Sequence, residues 1–170
     1  MTVVDTLSAQ LEREVEINRR VLAQVPEGRA DWKPHPKSMA LGYLAVLVAT
    51  MPTWVTMTVR QDSLDLAPVD GSGNKPMEWT KRSELLAALE DGARQALEAL
   101  KSTTVEHLET EWNLLVAGNI VMTRPRRVVI EDTLTHMAHH RGQLTVYMRL
   151  NDALVPSVYG PTADDPGFKS

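Results

Sequence analysis

Between Ser38 and Val59 the chain carries no charged residue: SMALGYLAVLVATMPTWVTMTV. A run of this length has two ordinary fates: it crosses a bilayer, or it becomes the most buried element of a soluble core. Gly42, Pro52 and the threonines at 50, 53, 56 and 58 speak against a span, and the chain has no second stretch to partner it. The segment is therefore read as a core helix, apolar nearly all round. Ser38 is its N-cap, and Pro52 kinks or interrupts it.

Three further helices are expected to cover it. Val4, Leu7, Leu11, Val15, Leu22 and Val25 recur at three- and four-residue spacing. Residues 2–25 thus form one amphipathic helix, which Pro26 ends. Asn18 falls on its apolar stripe, where the pattern asks for a hydrophobic residue. Leu85, Leu86, Leu89, Ala93, Ala96, Leu97 and Leu100 give the inner face of another helix, which starts at Thr80 or Ser83 and ends near Lys101. The last helix has Pro125 in its first turn, a favoured place for proline, and runs to Leu150. Two β-prone runs flank AGN at 117–119 and suggest a small hairpin before it. RQDSLDLAPVDGSGNKP reads as a polar loop, and NDALVPSVYGPTADDPGFKS as an irregular tail packed on the helices. The expected fold class is all-α: a single domain over residues 1–170, built as a four-helix bundle with a small β-hairpin before the last helix.

Charge and cysteine usage narrow the function classes. The formal net charge of -4 offers no basic field to nucleic acid or anionic membrane, and RPRR at 124–127 is too short to supply one. Nucleic acid and membrane are not expected partners. There is no cysteine, which excludes disulfides, thiolate metal ligands and a cysteine nucleophile, and which suits a reducing cytoplasm. The opening residues lack the basic start and apolar block of a secretory signal.

Chemistry concentrates in THMAHHRGQLTVYMRL, residues 135–150. His136 and His140 stand four apart. On a helix this separates them by about 40° around the axis and about 6 Å along it, so both imidazoles can aim at one point. That is a recurrent way for a helix to hold zinc, and imidazole also suits nickel, iron and copper. His139 points to the other side of His136. Asp132 lies too far from His140 to share an ion with it, but one turn before His136 it can orient that ring from behind. Gln143 and Tyr147 fall on the His140 face and can line a pocket. Arg141 and Arg149 are read as solvated or paired with acids. A third metal ligand must come from another helix, and His35 and His107 fall on no helical core face.

HMAHHRGQLTVYMRL followed by VPSVYGP, together with LAQVPEGRADWKPHPKSMALGYLA, resembles the DinB-like family, also described as DinB/YfiT-like. The blocks occur in the family's order and cover nearly the whole chain. The resemblance implies an up-down-down-up four-helix bundle, a bacterial homodimer, and a divalent metal (zinc, nickel, manganese or iron) held by three histidines. No nucleotide cofactor is expected. Two of the ligands match His136 and His140. The third belongs to a block like LAxHIA on the second helix, which here reads LAVLVA and puts Leu47 in its place. Glu14 and Asn18, on or beside the first helix's stripe, can face the site, or Asn18 can set helix register.

Two functions follow. One is a divergent metal-dependent hydrolase or thiol S-transferase, acting with a low-molecular-weight thiol on an incomplete three-histidine site. The other is a non-catalytic bundle without the metal, serving small-molecule binding or dimeric interaction. No catalytic base stands out among Glu14, Asp132 and Tyr147.

Overall fold

The computed structural model describes residues 2–73 and 77–167. Among the described residues nine elements follow one another: α1 (Val3–Leu22), α2 (Leu41–Thr50), α3 (Pro52–Arg60), β1 (Ser63–Asp65), α4 (Arg82–Ser102), α5 (Val105–Leu108), β2 (Glu111–Val116), β3 (Asn119–Pro125) and α6 (Arg126–Leu150).

The uncharged run forms two helices, α2 and α3, bent by 48° at their junction. Pro52 is the first residue of α3, where its missing N–H removes no helical bond. Leu41, Leu44, Ala45, Val48, Ala49, Met51 and Val55 are fully buried, as an all-round apolar helix requires. Among the described residues no single helix is long and apolar enough to cross a membrane. The run starts its helix at Leu41, three residues later than expected, and Ser38 caps nothing. Main-chain carbonyls of the preceding loop take over: Leu41 N–H donates to Trp32 O at 2.9 Å and Gly42 N–H to Ala30 O at 2.8 Å. A Cβ on Gly42 would lie 2.8 Å from Ala30 Cβ, so glycine lets the loop approach this closely.

Helix α1 opens with a capping box between Thr2 and Asp5 and buries Leu7, Leu11, Val15, Val21 and Leu22. Helices α4 and α6 each pack against α1 and against both halves of the bent pair. The apolar periodicities thus meet around α2 and α3, which form the centre of the core.

The all-α expectation needs correcting: the domain is mostly helical but carries a three-stranded sheet in the order β1-β2-β3. The expected hairpin is β2–β3. Its turn residues, Ala117 and Gly118, have φ of 50° and 77°, the consecutive left-handed geometry that suits a tight hairpin. The unexpected strand is β1, inside the stretch read as a polar loop. It pairs in parallel with β2, Leu64 opposite Leu114. The Asp65 carboxylate accepts from Ala117 N–H at 3.1 Å and Gly118 N–H at 2.7 Å, tying the strand to the hairpin turn.

The sheet is fastened to the helices by Arg126, which is buried. Its guanidinium donates to Thr58 O, Gln61 O and Asp62 Oδ1, each at 2.5 Å, and to Thr110 Oγ1 at 3.0 Å. One planar cation with several donors can satisfy the open end of α3 and the base of the hairpin together. Pro125, expected inside the first turn of the last helix, is instead the final residue of β3 and the N-cap position of α6.

Candidate functional site

The histidine pair is formed as its spacing predicts. The His136 and His140 rings lie 4.5 Å apart between centroids, with planes inclined at 40°. His140 is buried, and its Nδ1 is 2.8 Å from Gln143 Oε1. With the amide oxygen as acceptor, Nδ1 carries the proton and Nε2 the free lone pair. His136 is more open and meets the Trp54 ring edge-on at 5.6 Å. Partial burial, and then the neighbouring His140 and His139, hold its pKa below the ordinary histidine value, so the neutral ring is favoured. His139 lies 5.2 Å from the His140 ring and 6.5 Å from the His136 ring.

Several residues expected around this pair do other work. Asp132 does not orient His136; it accepts from Arg124 Nη1 of β3 at 2.7 Å. Of the two expected roles Arg141 takes the acid-paired one, with its side chain 1% exposed. It donates to Glu14 Oε2 at 2.7 Å and to Asn18 Oδ1 at 2.8 Å. Glu14 and Asn18 therefore serve Arg141, and Asn18 Nδ2 also reaches Val48 O of α2 at 3.3 Å. The tail closes the cluster: the Tyr159 hydroxyl accepts from Arg141 and donates to Glu14 Oε2 at 2.8 Å. The Arg of the HRGQ block and the Tyr of the YGP block thus form one polar junction across α1, α2, α6 and the tail, buried at Arg141, Glu14 and Asn18.

Gln143 holds His140, whereas Tyr147 packs edge-on against Trp32 at 5.5 Å. Arg149 pairs with Asp164 at 2.6 Å. His35 and His107 lie elsewhere: His35 Nδ1 accepts from Lys37 N–H at 3.2 Å, and His107 Nε2 is 2.9 Å from Val59 O.

Two cavities adjoin the site. His136 lines one of about 280 Å³, between α3, α6 and the sheet. Leu47 lines another of about 350 Å³, together with Tyr43, Thr50 and Thr53. Trp54, Met57, Leu64 and Leu66 border both. Sequence reading missed Trp54 and Trp112 as site residues. Trp54 was hidden inside an apolar run, and Trp112 inside a strand too short for alternation to single out one residue.

A three-histidine metal needs three donors in one place. His136 and His140 offer two adjacent imidazoles, while the hydrocarbon side chain of Leu47 offers none. Among the described residues no group of three His, Cys, Asp or Glu could hold an ion. The residues present do not make the three-donor set.

The DinB family model matches residues 7–166. Two solved structures share the fold. A DinB-like protein from Bacillus subtilis is 16% identical with a TM-score of 0.65, over 88% of this chain and 94% of that one. A DinB-like protein from Bacillus cereus ATCC 10987 is 20% identical with a TM-score of 0.68, over 91% of this chain and 97% of that one. No curated protein matches.

Proposed function

The chain belongs to the DinB family, and we propose that within it this protein is a small-molecule-binding helical domain whose histidine pair works without a three-histidine metal. One observation carries the reading: Leu47 stands where the family resemblance puts the third imidazole. His136 instead lines the edge of an apolar cavity, against Trp54. A neutral imidazole there can donate or accept a hydrogen bond to a ligand without bringing an unpaired charge. Family membership also supports an up-down-down-up helix order and a bacterial homodimer, and the cysteine-free sequence suits the cytoplasm.

A second reading is favoured by Gln143. Fixing the tautomer of His140 so that Nε2 is free is what a metal ligand's outer partner does. In that reading zinc, nickel, manganese or iron binds His136 and His140 with a ligand from outside the chain. The protein is then a metal-dependent hydrolase or thiol S-transferase.

Metal content of tag-free protein separates the two. After EDTA treatment, incubation with excess zinc, nickel or manganese, and desalting, elemental analysis is expected to find far less than one ion per chain. Retention near one ion per chain overturns the first reading and supports the second.

A further inference from the structure

The 280 Å³ cavity is walled by two helices and the sheet. Val129, Asp132, Thr133 and His136 of α6 line it at three- and four-residue spacing, so one face of that helix is turned to the space. Trp54 and Met57 of α3 form a second wall. Strand alternation brings Trp112 and Leu114 of β2 to one face of the sheet, with Leu64 of β1 and Met122 of β3 beside Leu114. Two indoles and two thioethers make a lining suited to an aromatic ring.

The hydroxyl and carboxylate groups on these walls are already hydrogen-bonded. Thr58 Oγ1 donates to Trp54 O and Thr133 Oγ1 to Val129 O, each at 2.8 Å. The Asp132 carboxylate is paired with Arg124 at 2.7 Å. Indoles only donate, and the Trp112 N–H is sealed from solvent and so out of a ligand's reach. His136 differs from all of these. It is exposed, and its ring meets Trp54 edge-on. The rings of His140 and His107 find Gln143 and Val59 O. Burial and the two neighbouring histidines act on His136, with no hydrogen bond to its ring. As a neutral imidazole it offers one nitrogen as acceptor and one N–H as donor. No lysine or arginine lines the cavity.

Building on the small-molecule reading above, we propose that this cavity binds an uncharged phenol, whose ring takes the indole- and thioether-lined space and whose hydroxyl donates to the His136 imidazole. A cavity of about 150 Å³ already accommodates benzene, so this one has room for a substituted ring. A phenol O–H that leaves water needs an acceptor, and His136 is where the walls supply one. A hydrocarbon of the same shape fills the space without using that acceptor. A carboxylate meets no free cation there and shares the lining with the Asp132 charge.

The test uses EDTA-treated full-length protein at pH 8, where imidazole and phenol are both uncharged. p-Cresol, p-xylene and 4-methylbenzoate, three rings of similar shape, are titrated by calorimetry. The wild type is expected to bind the cresol and the xylene, and the benzoate most weakly. In His136→Phe the ratio of cresol to xylene affinity is expected to fall about 10-fold, the loss of one hydrogen bond. Met122→Trp, which fills the space, is expected to abolish binding of both. If either variant does not fold, nitrogen-15 spectra of the wild type decide: p-cresol is expected to shift the His136 ring nitrogens more than p-xylene does. An unchanged ratio in His136→Phe, cresol binding retained in Met122→Trp, equal shifts from the two probes, tightest binding of the benzoate, or no binding of cresol overturns the inference. Such a failure with p-xylene still bound, in protein that retains no metal, leaves the small-molecule reading standing. Metal retention with cresol selectivity that depends on His136 sinks the metal-free reading alone.

Discussion

Arg141 Nη2 donates to Glu14 Oε2 at 2.7 Å, an ion pair that joins α6 to α1 with both side chains almost wholly withdrawn from solvent. Removing a single partner of such a pair strands the other charge in the core. Arg141→Met is expected to destabilise the protein by about 3–5 kcal/mol. Replacing both, as in Glu14→Leu with Arg141→Met, should recover most of that loss, because no buried charge is then unpaired. Urea denaturation checks both. A loss below about 1 kcal/mol for the single variant would show that the pair does not hold the helices together.

Tyr159 supplies a pH dependence to the same junction. The residue is 66% exposed, but its hydroxyl reaches the buried pair. Partial burial first, and then the hydrogen bond to Glu14, raise its pKa above the ordinary tyrosine value. The native state therefore keeps the phenol proton that the unfolded chain gives up. This stabilising contribution is complete below about pH 10, the unfolded value, and is lost as pH rises through the higher native value. Denaturation midpoints measured at pH 8 and pH 11 should fall less for Tyr159→Phe than for the wild type. An identical fall in both would remove Tyr159 from the alkaline transition.

The family resemblance puts the third donor of the histidine pair at position 47, where this chain has leucine. Leu47→His adds an imidazole to α2, which packs against α6. Zinc affinity measured calorimetrically is expected to rise at least about 100-fold over the wild type, the step from two protein donors to three. An unchanged affinity would mean that residue 47 does not face His136 and His140.

Much of the fold was legible because it rests on local pattern. The stripes of α1 and α4 repeat within a few residues, Pro52 marks the break between α2 and α3, and Ala117–Gly118 marks the hairpin turn. The strand β1 was not legible. Three residues cannot display a period, and Ser63–Asp65 become a strand only by pairing with Asn113–Leu115. Ser38 failed as a cap for a similar reason: loop carbonyls at Ala30 and Trp32 reached the helix amides first.

The site divides along the same line. Spacing alone put His136 and His140 side by side, because four residues of helix fix that relation wherever the helix lies. Whether Asp132 serves His136 or Arg124, and whether Arg141 meets water or Glu14, depended on segments up to 127 residues apart coming within hydrogen-bond reach. Helical periodicity is a property of neighbours along the chain. The partner of a charged side chain is decided by packing, which sets the groups that share its burial and leaves each buried charge to find its opposite there.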